Sequence, residues 1–115
     1  MKRVLIVEDD LIISLTTEKM VEKLGCQVVG CVTTGEDAIK AAEENNPDII
    51  LMDIRLNGSM DGIEATKEIL ANLDSTRVIY VTGNTDNAYK ERAEKTGYDA
   101  YLIKPLRMED LKSII

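Results

Sequence analysis

The segment VLIVEDDLII, Val4 to Ile13, decides the fold. Four apolar residues, Val4 to Val7, run directly into Glu8, Asp9 and Asp10, after which apolar residues resume. A short, uninterrupted β-branched run reads as a strand covered on both faces, since a half-exposed strand would alternate apolar with polar side chains. One acid can cap a following helix, and Asp10, immediately before Leu11, is placed to do so. Three acids together at the end of a buried strand call for a positive charge beside them.

Working outward, short β-branched runs recur at residues 3–7, 27–32, 48–52, 77–82 and 99–103. Helical spacing fills the gaps. Residues 11–24 place Ile12, Leu15, Met20 and Leu24 near one face and stop at Gly25, a favoured residue just past a helix end. Thr34 is placed to cap a second helix, which Asn46-Pro47 cannot continue. Asp61-Gly62-Ile63-Glu64 has capping-box spacing and opens a third, with Ile63, Ile69, Leu70 and Leu73 as its buried set. A more polar helix over residues 86–95 closes at Gly97, and a fifth begins at Arg107. Five strand-then-helix units predict an α/β fold with a parallel sheet wound on both faces.

Bulk properties set limits. A chain of 115 residues suits one domain with a core that needs no disulfide or metal staple. Fourteen basic against 21 acidic residues give a net charge of −7, which disfavours direct binding to nucleic acid or an anionic membrane. No apolar run approaches the roughly 20 residues of a membrane span, and a cytosolic (cytoplasmic) location is the default expectation. Cys26 and Cys31 match neither a redox nor a zinc spacing and read as two small core hydrophobes. The chain has no histidine, so imidazole cannot serve as its base, its metal ligand or its phosphate carrier.

In an open parallel sheet, ligands bind beyond the carboxyl ends of the strands, where the strand order reverses. The residues closing the strands are Glu8-Asp9 on the first, Thr33-Thr34 on the second, Asp53 on the third, Thr82 on the fourth and Lys104-Pro105 on the fifth. If the first and third strands are neighbours, Glu8, Asp9 and Asp53 share one rim. Two unit charges about 5 Å apart repel by roughly 3 kcal/mol at an effective dielectric near 20. Such a cluster must take up protons, spread apart or bind a cation, and its oxygen-only donor set suits a hard ion such as Mg2+.

The acidic pair Glu8-Asp9 after VLIV, Asp53 in DIILMDIRL, the MDG at Met60 to Gly62, Thr82 in VIYVTG and Lys104-Pro105 in AYLIKP occur in this order. Together they resemble the receiver domain of two-component response regulators, and the resemblance covers the whole chain. It implies a flavodoxin-like (βα)5 doubly wound parallel sheet with strand order 2-1-3-4-5. It also implies Mg2+- or Mn2+-dependent transfer of a phosphoryl group from a phosphohistidine of a partner histidine kinase, or of a phosphotransfer protein, to Asp53. By match, Glu8, Asp9, Asp53 and the backbone carbonyl of Arg55 would hold the metal, while Lys104 and Thr82 would meet the phosphoryl oxygens. Thr82 and Tyr101 would be the switch residues, altering the surface of helix 4, strand 5 and helix 5, a face also available to a homodimer. Pro105 sits where the family places a cis bond. A domain of this kind catalyses its own aspartyl phosphorylation and dephosphorylation, with no separate substrate to turn over.

This sequence departs from the common family form in the loop after Asp53, which lacks the usual proline and is one residue longer, and in having Glu8 where Asp is commoner. Arg55 and Asn84 stand where the family tunes dephosphorylation. Residues 107–115 are short for the fifth helix, which predicts a single receiver domain truncated in that helix. The alternative function is a pseudo-receiver that binds partners without phosphorylation, but it would be expected to lack Asp53, Lys104 or the acidic pair. A flavin module would want a Ser/Thr/Gly-rich loop where this chain has acids. An aspartyl-phosphate phosphatase would need a second acid at Arg55.

Overall fold

A computed structural model of the chain describes residues 1–83 and 87–115. Its strands are β1 (Arg3–Val7), β2 (Gln27–Val32), β3 (Ile49–Met52), β4 (Arg77–Thr82) and β5 (Ala100–Ile103). They form one sheet in the order β2-β1-β3-β4-β5, and every pairing is parallel. The helices are α1 (Leu11–Lys23), α2 (Gly35–Asn45), α3 (Gly62–Asn72), α4 (Asn87–Glu94) and α5 (Met108–Ile114). The strand order is the one expected, and β1 and β3 are neighbours. Asp86, expected to open the fourth helix, lies outside the described residues.

Side chains alternate across a strand, and here both sets are buried. Leu5 and Val7 of β1, Ile50 and Met52 of β3, and Val78 and Tyr80 of β4 join Ala38 and Ala42 of α2, Ile63 and Ile69 of α3 and Ala93 of α4 in one core layer. Val4, Ile6, Ile49, Leu51, Ile79 and Val81 point the other way, against Val21 of α1 and Leu111 of α5. Burial on both faces accounts for the unbroken apolar runs, each such side chain contributing roughly 1.5–3 kcal/mol.

The caps follow the sequence. Asp10 accepts from the amides of Ile12 and Ile13 at 2.9 and 3.1 Å, and Thr34 Oγ1 from that of Asp37 at 3.1 Å. Asp61 and Glu64 complete the reciprocal box at the start of α3, with bonds of 2.9 and 3.1 Å. Gly25 follows α1 with φ +83, a left-handed conformation that glycine adopts without a Cβ clash.

Three expectations need correction. The buried stripe of α1 is Ser14, Thr17 and Val21, with Met20 and Leu24 half-buried, while Ile12 and Leu15 are 79% and 53% exposed. Residues i, i+3 and i+7 share a helix face, and the stripe that met the sheet is the one whose small polar side chains fit over the strand ends. In α3, Leu70 and Leu73 are only half-buried, and Ala65 and Thr66 lie inside with Ile63 and Ile69. Cys26 is a core residue but Cys31 is exposed, because β2 is an edge strand and its far end is incompletely covered.

A buried hydroxyl pair ties β4 to the segment after α4. The hydroxyls of Tyr80, which is wholly buried, and Thr96 lie 2.9 Å apart, and Thr96 Oγ1 also donates to the carbonyl of Ala93. Tyr101, beside Tyr80 in the ladder, has a buried hydroxyl with no hydrogen-bond partner among the described residues. The two tyrosines should therefore respond oppositely to loss of the hydroxyl. Tyr80→Phe is expected to lower stability by about 1 kcal/mol, and Tyr101→Phe to leave it unchanged or raise it by up to about 1 kcal/mol, as measured by urea unfolding.

Candidate active site

All five strands run the same way, so their carboxyl ends, and the residues that follow them, gather at one rim. Asp53 and Glu8 are each 5% exposed there. The Asp53 amide donates to the Val7 carbonyl at 3.0 Å and the Glu8 amide to the Val32 carbonyl at 3.0 Å, so both acids start from the sheet ladder. Glu8, Asp9 and Asp53 each bring a carboxylate oxygen to within 4.8 Å of the others. The three acids of the rim thus do converge.

Lys104 provides the opposing charge. Its Nζ lies 2.5 Å from Glu8 Oε1 and 3.0 Å from Asp53 Oδ2. The second oxygen of Glu8 accepts from the Asp10 amide at 3.1 Å, which holds the longer side chain folded back on its own loop. Lys104 is aimed by its backbone, whose amide donates to the Thr82 carbonyl at 2.9 Å; the Lys104–Pro105 peptide is cis. Burial alone would push the Lys104 ammonium down, but hydrogen bonds to Glu8 and Asp53 and their charges hold it above the ordinary lysine value. At Asp9, burial first, then the hydrogen bond and charge of Glu8, push the carboxyl up.

Thr82 closes β4 at the same rim and is 1% exposed. Tyr101 lies farther back on β5, half-buried, its ring 6.0 Å from that of Tyr80 and 6.1 Å from that of Tyr98. Arg55 is exposed, two residues past Asp53. Asn84 lies outside the described residues. The cluster offers a hard divalent cation several oxygen donors beside an ammonium, a donor set that fits Mg2+. Such an arrangement can hold an anion between cation and ammonium, next to the Asp53 carboxyl group.

Sequence reasoning missed three features. Lys104 spans both Glu8 and Asp53 rather than simply facing the acids. Arg92 of α4 pairs with Asp61 Oδ2 at 2.9 Å, so the residue capping α3 also tethers α4, and no local spacing signals that contact. Finally, apolar residues of α1 border a groove of about 380 Å3 that reaches the site, with exposed Ile12 and Ile13 and half-buried Met20 on one side and Lys104, Pro105 and Leu106 on the other.

A five-stranded parallel sheet in the order β2-β1-β3-β4-β5, with an acidic cluster beside a lysine at its carboxyl rim, is the architecture of flavodoxin-like receiver domains. Residues 4–115 match the response regulator receiver domain family, and the chain belongs to that family. The transcriptional regulatory protein PdtaR of Mycobacterium tuberculosis is 34% identical over 96% of this chain and 53% of its own length. The response regulator GacA of Pseudomonas aeruginosa is 34% identical over 100% of this chain and 54% of its own. The chain therefore spans about half the length of these curated relatives. Among solved structures, the signal receiver domain of a modulated diguanylate cyclase from Desulfovibrio desulfuricans superposes with a TM-score of 0.92 at 34% identity, covering 98% of this chain and 89% of that one. The receiver domain of a sensor histidine kinase from Pseudomonas aeruginosa, solved with a magnesium ion coordinated in the active site cleft, superposes with a TM-score of 0.86 at 34% identity, covering 98% and 93%.

Proposed function

We propose that this receiver domain accepts a phosphoryl group on Asp53 from a phosphohistidine of a partner histidine kinase or phosphotransfer protein, in a Mg2+-dependent reaction. The observation that carries the reading is the meeting of the Glu8, Asp9 and Asp53 carboxylates within 4.8 Å, with Lys104 Nζ 3.0 Å from Asp53. Glu8, Asp9, Asp53 and the Arg55 carbonyl would hold the ion. Bound there, Mg2+, or Mn2+ in its place, supplies charge neutralisation for the phosphoryl oxygens.

The chain's own residues do the rest. An Asp53 carboxylate oxygen attacks phosphorus, forming an O–P bond as the N–P bond of the phosphohistidine breaks. The electron pair leaves on the imidazole nitrogen, which takes a proton from solvent. Lys104 then shifts from pairing carboxylates to pairing phosphoryl oxygens, a preorganised charge that meets the transition state without long reorganisation. The Thr82 hydroxyl donates to the same group. The donor must be external, since the chain has no histidine. The apolar groove between α1 and the segment following β5 lies beside Lys104, which supports docking of the donor there.

The phosphoryl group brings up to about two negative charges to the rim and draws Thr82 towards it. Tyr101, whose buried hydroxyl lacks a partner among the described residues, then takes a second position, and the face of α4, β5 and α5 changes. A homodimer through that face is one readout of the change.

The test is incubation with Mg2+ and acetyl phosphate followed by intact mass. A gain of one phosphoryl group that disappears under chelation is the expected result. A folded chain that binds Mg2+ but gains nothing would overturn the proposal in favour of a pseudo-receiver that works by binding alone.

A further inference from the structure

Gly62 opens α3, and its backbone is not among the positive-φ glycines. Conformation therefore does not call for glycine there, but space does. A Cβ on Gly62 would lie 2.0 Å from the Asp53 carbonyl oxygen, 2.9 Å from its carbonyl carbon and 3.0 Å from the Ile54 Cα. All three obstacles are backbone atoms of the residue that carries the nucleophilic carboxylate and of the next one. Elsewhere the same addition is milder: at Gly35 the nearest atom is the Met60 Cγ at 2.8 Å, part of a flexible side chain that can swing away, and at Gly83 it is the Lys104 Cδ at 3.9 Å.

The contact is fastened from both sides. The Gly62 amide donates to the Ile54 carbonyl at 2.7 Å, and the Asp53 amide donates to the Val7 carbonyl at 3.0 Å. Ile54 is wholly buried. On the helix side, Asp61 is held by the capping box with Glu64 and by the ion pair to Arg92. With neither the helix nor the strand end free to retreat, a Cβ at residue 62 must be accommodated by turning the Asp53–Ile54 peptide. That rotation redirects the Asp53 side chain and, one peptide further, the Arg55 carbonyl.

We propose that Gly62 is a positioning residue for the phosphoacceptor: its missing side chain fixes the main chain of residues 53–55, and so the aim of the Asp53 carboxylate and the Arg55 carbonyl. This rests on the reading of Asp53 as the phosphoryl acceptor. It goes beyond that reading in assigning part of the site's geometry to a residue with no functional group.

A purely structural role predicts something else. Alanine favours a helix over glycine, so a packing defect at residue 62 would appear in the melting temperature as a sum of gain and loss, with each folded molecule still working normally. The experiment compares the full chain with Gly62→Ala and with Ile69→Val, a core change seven residues farther along the same helix. Three quantities are read: thermal stability, the Kd for MgCl2 by titration calorimetry, and the initial rate of phosphoryl gain from acetyl phosphate at saturating Mg2+ per folded molecule. Gly62→Ala is expected to weaken Mg2+ binding and to slow phosphorylation by about tenfold or more each, since displacements approaching 1 Å near reacting groups carry costs of that order. Ile69→Val is expected to change neither, whatever its melting temperature. Should Gly62→Ala be unfolded in buffer, the same readings are taken in trimethylamine N-oxide, which drives compaction without restoring a displaced peptide. Unaltered Kd and rate in folded Gly62→Ala, while the parent chain binds Mg2+ and is phosphorylated, would overturn the positioning role alone. Failure of the folded parent chain to gain a phosphoryl group would overturn the phosphoacceptor reading and this inference with it.

Discussion

Asp53→Ala is expected to take up no phosphoryl group from acetyl phosphate in the presence of Mg2+, with a loss of rate of at least about 10^3-fold, the scale of removing a nucleophile from a site that acts as a unit. The expectation follows from place as much as from chemistry. Asp48, five residues earlier, is exposed at the opposite end of the same strand, and its carboxylate accepts from the Arg3 amide at 2.8 Å. It carries the same carboxyl group but lies away from Lys104 and from the acids of the rim. Asp48→Ala is therefore expected to gain the group at the parent rate. Intact mass after a timed incubation reads both variants, and peptide mapping after borohydride reduction of the acyl phosphate locates the modified residue in the parent. Label that persists in Asp53→Ala at the parent rate would move the nucleophile elsewhere.

The second large effect belongs to Lys104. Lys104→Met keeps much of the aliphatic volume and removes the charge that lies 2.5 Å from Glu8 and 3.0 Å from Asp53. The rate of phosphoryl uptake at saturating Mg2+ is expected to fall by about 10^2–10^3-fold, as for the loss of a preorganised donor to a developing anion. Stability without metal is expected to fall by about 1–3 kcal/mol, because two nearly buried carboxylates lose a shared partner. Added Mg2+ should recover part of that deficit, since an ion that binds only the folded state stabilises it. The pH dependence has a definite sign. The folded ammonium titrates above the ordinary 10.5, so its contribution is fully present below 10.5 and disappears as pH rises through the higher folded value. Urea unfolding across that alkaline range should show this loss in the parent chain and not in Lys104→Met. An uptake rate within twofold of the parent would exclude Lys104 from the chemistry.

Much of this site was legible before any coordinates. The burial of VLIV on both faces required helices on both sides of the sheet, and that required parallel strands whose carboxyl ends share a rim. Glu8, Asp9, Asp53, Thr82 and Lys104 follow from that alone, because each closes a strand or comes directly after one. The helix boundaries were legible where a side chain caps its own backbone, as at Asp10, Thr34 and Asp61, since capping is a local contact between neighbours in sequence. The rotation of α1 was not. Ile12 and Leu15 are more hydrophobic than Ser14 and Thr17, yet the smaller pair is inside. Only the shape of the surface beneath a helix decides which stripe fits, and that surface is assembled chiefly from β1 and β2.

The sequence by itself determined the alternation of strands and helices, the oxygen-only character of the acidic rim and the absence of any imidazole from its chemistry. Each of these depends on residue type or on order along the chain. The tertiary structure alone decided that Lys104 bridges Glu8 and Asp53, that Asp61 joins α3 to Arg92 of α4, and that no Cβ fits between Gly62 and the Asp53 carbonyl. Those are distances between segments far apart in sequence. Such distances are fixed when whole faces pack, and no pattern along one segment encodes them.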